Sequence, residues 1–196
     1  MTDSNKATFK ELIYPVLVLF GICLVITLAL AVTNSITEPK IAELTAKTEE
    51  QSRQKLLPAD RYEPDTVSVN GEEIEYYSAV KSDTTSGYLF TVSEKGYGGN
   101  LTVMVAVLPD LTVKSVDILD VTNETPGLGQ NTANKSFYSQ FEGLKKNINV
   151  LKNGADKSKN EINAVTGATI SSKAVTKAVN KALEVAELIV KAGEQG

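Results

Sequence analysis

Residues 75–121 read EYYSAVKSDTTSGYLFTVSEKGYGGNLTVMVAVLPDLTVKSVDILDV. Short runs rich in β-branched and aromatic residues alternate with clusters of turn-forming ones, the pattern of an antiparallel sheet. Glu75–Lys81 and Tyr88–Ser93 are separated by SDTTSG, a turn composition. In Leu101–Val107 the alternation puts the β-branched residues on one face. Pro109-Asp110 then turns the chain into Thr112–Val121. With the strand pattern beginning near Val67, the region predicts a sheet of about four strands.

Working outward, residues 172–191 supply a partner for that sheet. Val175, Val179, Leu183, Ala186 and Val190 recur at steps of three and four, giving one apolar face of a long helix. Glu187 and Lys191 make a favourable pair one turn apart. Between sheet and helix, Lys135–Phe141 suggests a short helix and Leu144–Leu151 a short strand. The expected class is α+β: an antiparallel sheet packed by a long C-terminal helix.

Upstream, Leu12–Val32 reads LIYPVLVLFGICLVITLALAV, with no charge from residue 12 to residue 37. As a helix it covers roughly 30 Å, enough to cross a bilayer core. The rival is a cleaved signal peptide, since Ala29-Leu30-Ala31 resembles a cleavage site. An apolar core of about twenty residues is longer than signal peptides use, which favours a retained anchor. Pro15 would sit near the first turn, and Thr37-Glu38-Pro39 looks like the start of a second helix. The expected organisation is a cytoplasmic tail (1–11), a transmembrane helix (12–33) touching lipid, a helical stalk (34–58) ending at Pro58, and one domain (59–196). Lys6 and Lys10 before the span, against Lys40 after it, favour a cytoplasmic N-terminus and a domain outside the cytosol.

Composition narrows the chemistry. The net charge is −4, with no histidine and a single cysteine, Cys23, inside the apolar run. An acidic domain without a basic patch argues against nucleic acid as a partner. One cysteine cannot build an iron–sulfur cluster or a disulfide within the chain. Redox chemistry would have to come from an organic cofactor or from partner proteins.

Three segments concentrate glycine: Gly96-Tyr97-Gly98-Gly99, Glu124-Thr125-Pro126-Gly127-Leu128-Gly129, and Val165-Thr166-Gly167-Ala168-Thr169-Ile170-Ser171-Ser172. The last precedes the C-terminal helix, whose free N–H groups and dipole favour a phosphate. The plain reading is a helix start capped by Ser171 or Ser172. For Gly96–Gly99 the plain reading is a hairpin turn, and the functional one is close approach of backbone to a ligand. Glu124–Gly129 is either a surface loop or an apolar contact for a planar ligand.

The order of span, strands, GYGG, ETPGLG and TGATISS resembles the FMN-binding G subunit of the Rnf electron-transport complex. It is also similar to the C subunit of the sodium-pumping NADH:quinone reductase. The resemblance implies that Thr169, last residue of the S/T-G-A-T motif, carries FMN through a phosphoester made by a separate FMN transferase. The family signature has an aspartate six residues earlier; here Asn163 keeps a hydrogen-bonding carbonyl without the charge. The resemblance places Gly167, Ala168 and Ile170 beside the attachment point. It sets Glu124, Thr125, Gly127 and Leu128 along the flavin, and Tyr97, Gly98 and Gly99 in the same pocket. Lys173 is either a phosphate neighbour or a solvated helix lysine. The implied function is that of an electron carrier, without a complete active site of its own, in a ferredoxin:NAD complex that moves ions across the cell membrane. The rivals are a membrane-anchored binding ectodomain with no redox role and a pilin-like structural protein.

Overall fold

The computed structural model describes residues 3–69 and 72–193; Met1 and Thr2 of the expected tail lie outside them. The element order is α1 (Asp3–Leu56), β1 (Arg61–Val69), β2 (Glu72–Lys81), β3 (Thr84–Lys95), β4 (Asn100–Val107), β5 (Val113–Asp120), α2 (Lys135–Tyr138), β6 (Asn149–Leu151), β7 (Glu161–Asn163) and α3 (Thr169–Gly193). The chain divides into two compact units, one ending at Lys47 and the other beginning at Thr48.

In the first unit, α1 presents Val16, Leu17, Leu19, Phe20, Leu24, Val25, Leu28, Leu30 and Val32 as exposed side chains. A helix apolar all round and uncovered by protein suits hydrocarbon rather than water. One correction concerns Thr37-Glu38-Pro39, expected to open a new helix: α1 runs through it, with both Pro15 and Pro39 inside. Thr37 does not cap anything; its hydroxyl donates back to the Thr33 carbonyl at 2.8 Å. Thr33 and Ser35 bond to Ala29 and Ala31 in the same way, at 2.9 and 3.0 Å. Strong helix formers follow on the far side of Pro39. The helix continues without the backbone bond that Pro39 removes.

The second unit is built on a five-stranded antiparallel meander in the order β1-β2-β3-β4-β5. The sheet is as expected in kind, with one more strand than the sequence suggests. β1 escapes the pattern because Pro64 stands among Arg61, Glu63 and Asp65 in its first half. It is an edge strand, where a proline costs no ladder bond on its free side. The six-residue turn read between β2 and β3 shrinks to Ser82-Asp83. Both residues have positive φ, 51° and 58°, and Lys81 pairs with Thr84 across them. That left-handed pair matches the twist of a tight hairpin, so Thr84–Gly87 joins the strand.

β4 is buried on both faces, and its alternation sorts the two cores. Leu101, Val103, Val105 and Val107 join Phe90 and Val92 beneath α3, where Val175, Ala178, Val179, Ala182, Leu183 and Ala186 are fully covered. Of the expected face, Val190 is only partly buried. Met104 and Ala106 face the other way, with Ala79 and Leu89, and are covered by Leu56 and Leu57. The last turns of α1 are thus part of this unit. They are pinned to β5: Ser52 Oγ and Lys55 Nζ each donate to Asp117 at 2.9 Å, and Ser115 Oγ donates to the Leu56 carbonyl at 2.8 Å. The Arg53 guanidinium lies 4.3 Å over the Tyr77 ring, a cation–π contact.

The connection from β5 to α3 is mostly irregular. The short helix expected over Lys135–Phe141 is present as α2 and a 3-10 turn. The expected Leu144–Leu151 strand begins only at Asn149, because Leu144 and Ile148 turn into the core instead. β6 pairs in parallel with β7, a three-residue strand that sequence periodicity is too short to reveal. α3 starts at Thr169, three residues earlier than its apolar pattern suggests.

Two outcomes test this packing. Leu183→Ala, at the covered centre of α3, should cost about 2–5 kcal/mol of stability, read by chemical denaturation of the detergent-solubilised chain. Glu187 accepts from Lys146 at 2.6 Å and from Lys191 at 2.8 Å. Lys146 first, and then Lys191, hold its carboxyl at about 2 instead of 4.5. A carboxyl depressed in the folded state stabilises above its unfolded value, and that stabilisation is lost as pH falls towards the folded value. Glu187→Gln should therefore flatten the part of the acid-side decline between about 4.5 and 2; an unchanged profile would show that the pairs do not bear on stability.

Candidate functional site

The three glycine-bearing segments, far apart in sequence, meet at one end of the sheet. β3 and β4 are joined there by residues 96–99, with Gly96 N bonded to Gly99 O at 2.8 Å. β5 leaves the sheet at the same end, since Asp120 pairs with Thr102. α3 crosses β3 with its early turns near this edge; Lys177 Nζ reaches Glu94 at 2.7 Å. Between the segments lies a cleft of about 540 Å³, within the usual size of a small-molecule pocket. Its walls are Tyr97 from the hairpin, Glu124, Thr125, Leu128 and Gly129 from the loop after β5, and Gly167 to Ser171 from the mouth of α3.

Thr169 is the first residue of α3 and is half-buried on the cleft wall. Among the described residues nothing hydrogen-bonds its hydroxyl. The first bond of the helix is Ser172 N to Ala168 O at 2.9 Å. The N–H groups of Thr169, Ile170 and Ser171 therefore precede the ladder and have no carbonyl within the helix. Ala168 stands at the capping position and offers no side-chain oxygen. The expected caps do other work. Ser172 Oγ donates to Ala168 O at 2.9 Å and accepts from Val165 N at 3.0 Å, which latches the preceding turn. Ser171 Oγ is turned to Glu124. The mouth of this long helix is consequently left open to an anion.

Glu124 is 2% exposed. Its Oε1 accepts from Tyr97 N at 2.8 Å and from Gly98 N at 3.4 Å, and its Oε2 accepts from Ser171 Oγ at 2.7 Å. One carboxylate thus joins all three segments. Two glycines make room for it: a Cβ on Gly96 would collide with Oε1, and one on Gly129 with Oε2. Above this clasp the rim of the cleft is apolar and open. Tyr97 is 70%, Ile170 54% and Leu128 43% exposed. Leu128 lies over Gly167, where a Cβ would come within 2.9 Å of Leu128 Cδ2.

Of the residues singled out from sequence, Tyr97, Glu124, Thr125, Leu128, Gly167, Ala168, Thr169 and Ile170 share this cleft. Gly98, Gly99 and Gly127 do not. The two hairpin glycines pack against Asn123, the first against its carbonyl and the second against its side chain. Gly127, at φ +75°, is a turn residue facing an adjoining hollow lined by Asn131, Gln140 and Asn163. Asn163 accepts from Ala155 N at 3.1 Å, and Gln140 brackets its backbone N and O at 2.8 and 3.2 Å. Lys173 is exposed and lies outside the cleft wall. Sequence reasoning missed Gly129 and Ser171 as cleft residues and Gly96 as packing for the clasp. Each is a small residue defined by its distance to Glu124, a relation that has no local signature.

The geometry agrees with comparisons to known proteins. Residues 96–184, which contain all three segments, match the model of the FMN-binding domain family. The chain is 37% identical over 163 residues to the G subunit of the proton-translocating ferredoxin:NAD(+) oxidoreductase complex of Clostridium ljungdahlii, covering 83% of this chain and 84% of that one. It is 34% identical over 185 residues to the G subunit of the Na(+)-translocating ferredoxin:NAD(+) oxidoreductase complex of Acetobacterium woodii, covering 86% and 88%. Its fold is similar to the crystal structure of Shewanella oneidensis NqrC, with a TM-score of 0.55 and 20% identity over 66% of this chain and 69% of that one. The chain therefore belongs to the G-subunit family of ion-translocating ferredoxin:NAD(+) oxidoreductase complexes, and it carries that family's FMN-binding domain.

Proposed function

We propose that FMN sits in the cleft between residues 124–129 and 167–171, held as a phosphoester on Thr169, and that the chain serves its complex as an electron carrier. The observation that supports this most directly is the Thr169 hydroxyl. It lies on the wall of a cleft bordered by all three glycine-bearing segments, at the uncapped mouth of α3. A phosphate on that oxygen would be met by the free N–H groups of the first helical turn and by the positive end of the helix dipole. The apolar rim of Tyr97, Leu128 and Ile170 suits a flat aromatic ring, and Gly167 and Ala168 keep bulk away from the attachment point. Gly98 and Gly99 let the hairpin pack closely on Asn123, and Gly127, at positive φ, turns the chain just before Leu128.

Attachment needs a donor and an enzyme. With FAD as donor and a separate FMN transferase, the Thr169 oxygen displaces AMP from the flavin phosphate, and the hydroxyl proton leaves to a base on the transferase. Bound there, the flavin supplies reversible electron transfer, which no side chain of this histidine-free, single-cysteine chain offers. The protein's share is to hold the ring, limit its contact with water and shape its electrostatic surroundings.

The membrane arrangement belongs to the same reading. Residues 12–33 span the bilayer once, with residues 1–11 on the cytoplasmic side, 34–58 as a helical stalk whose last turns pack on the sheet, and the FMN domain, 59–196, on the outer face. The lysine balance around the span supports that orientation, and so does the covalent tether, since an FMN lost outside the cytosol would not be replaced. Other members of the membrane complex would be the electron donors and acceptors.

Covalent attachment has a direct readout. Wild-type protein made together with an active FMN transferase should fluoresce yellow-green as a band on a denaturing gel. Its intact mass should rise by about 438 Da, the gain for ester formation with loss of water. Thr169→Val should be dark and unshifted, while folding normally. A dark wild type under those conditions, or a fluorescent Thr169→Val, would count decisively against the attachment.

A further inference from the structure

We propose that Glu124 does more than clasp the cleft: its charge lowers the reduction potential of the flavin. This rests on the reading that FMN occupies the cleft on Thr169. A carboxylate as buried as Glu124, at 2% exposure, is ordinarily matched by a cation. Among the described residues no lysine or arginine pairs with it. Its partners are two backbone N–H groups, of Tyr97 and Gly98, and the Ser171 hydroxyl. These neutral donors hold the anion in place but leave its net charge uncancelled.

That charge stands in the wall of the cleft itself, where protein replaces much of the solvent and screening is weak. Reduction adds two electrons to the flavin, supplied by the redox partner, and fewer than two protons from water at neutral pH. The reduced ring therefore gains negative charge. Beside a fixed anion that form is disfavoured relative to the oxidised one, so the potential falls. The surroundings are shaped for a carboxylate in this position: Gly96 and Gly129 each vacate the space that one of its oxygens fills. A purely mechanical clasp has no need of charge, because a glutamine could accept from the two N–H groups and donate to Ser171 with the hydroxyl reversed. The charge is what distinguishes the two roles.

The test uses the full-length chain made together with an FMN transferase, purified in detergent and titrated spectroelectrochemically at pH 8, with flavin loading read from intact mass. Glu124→Gln keeps the shape and removes the charge. It should stay loaded and raise the reduced-to-oxidised ratio at fixed poise at least tenfold, about 30 mV upward for a two-electron couple. Ser171→Ala strips one donor from the carboxylate and exposes more of its field. It should shift the ratio the opposite way, at least threefold. A loaded Glu124→Gln protein within threefold of wild type overturns the proposal and leaves Glu124 a clasp alone. If that variant does not fold or load, Ser171→Ala decides, and the absence of a downward shift overturns the proposal. A wild type with no mass gain fails at the earlier step, since it removes the flavin from Thr169 and with it the basis of the inference.

Discussion

The buried carboxylate of Glu124 is the constraint around which the functional end of the molecule is arranged. It accepts from the β3–β4 hairpin on one oxygen and from α3 on the other, while belonging itself to the loop after β5. Removing an acidic side chain from water is costly unless its oxygens find donors. Separating the loops would break these bonds together. Glycines at 96 and 129 are the complement of that constraint, since any side chain there would occupy the space of the carboxylate.

The clasp works because the scaffold beneath it is rigid. β4 is packed on both faces, under α3 on one side and under the last turns of α1 on the other. A strand so enclosed cannot slip by a residue without exchanging its two faces, since Val103 and Val105 would trade places with Met104 and Ala106. α3 is seated by a continuous apolar face, so the position of its N-terminus follows from packing far from the cleft. The N-terminus is where the helix dipole and the free N–H groups are directed, and Thr169 lies there. Thus the chemistry proposed for one hydroxyl depends on core residues several turns away.

Much of this was legible in the chain. The apolar run of residues 12–32, the strand alternation of Leu101–Val107 and the helical spacing of Val175 to Ala186 each carry a long, regular signal. Where signals are short or mixed, the local pattern and the fold part company. β1 hides behind Pro64 and its charges because it is an edge strand, and edges need less β-propensity than centres. β6 and β7 are too brief for a period to register. Thr37-Glu38-Pro39 has the composition of a helix start, yet α1 runs through it, with the Thr37 hydroxyl turned back to Thr33 instead of capping and strong helix formers following.

The sequence by itself determined the classes of element and the presence of three glycine-rich interruptions. Those follow from local sterics and from hydrophobic periodicity, which act between near neighbours. It also determined that redox chemistry must be borrowed, since histidine is absent and cysteine occurs once. The family resemblance sets the three interruptions in one pocket, but only the tertiary structure decided which of their residues line the cleft. It likewise decided that Glu124 is buried as a clasp and that the end of α1 forms the second cover of the sheet. These facts are distances between residues tens of positions apart, set by how the faces pack, and no local pattern encodes them.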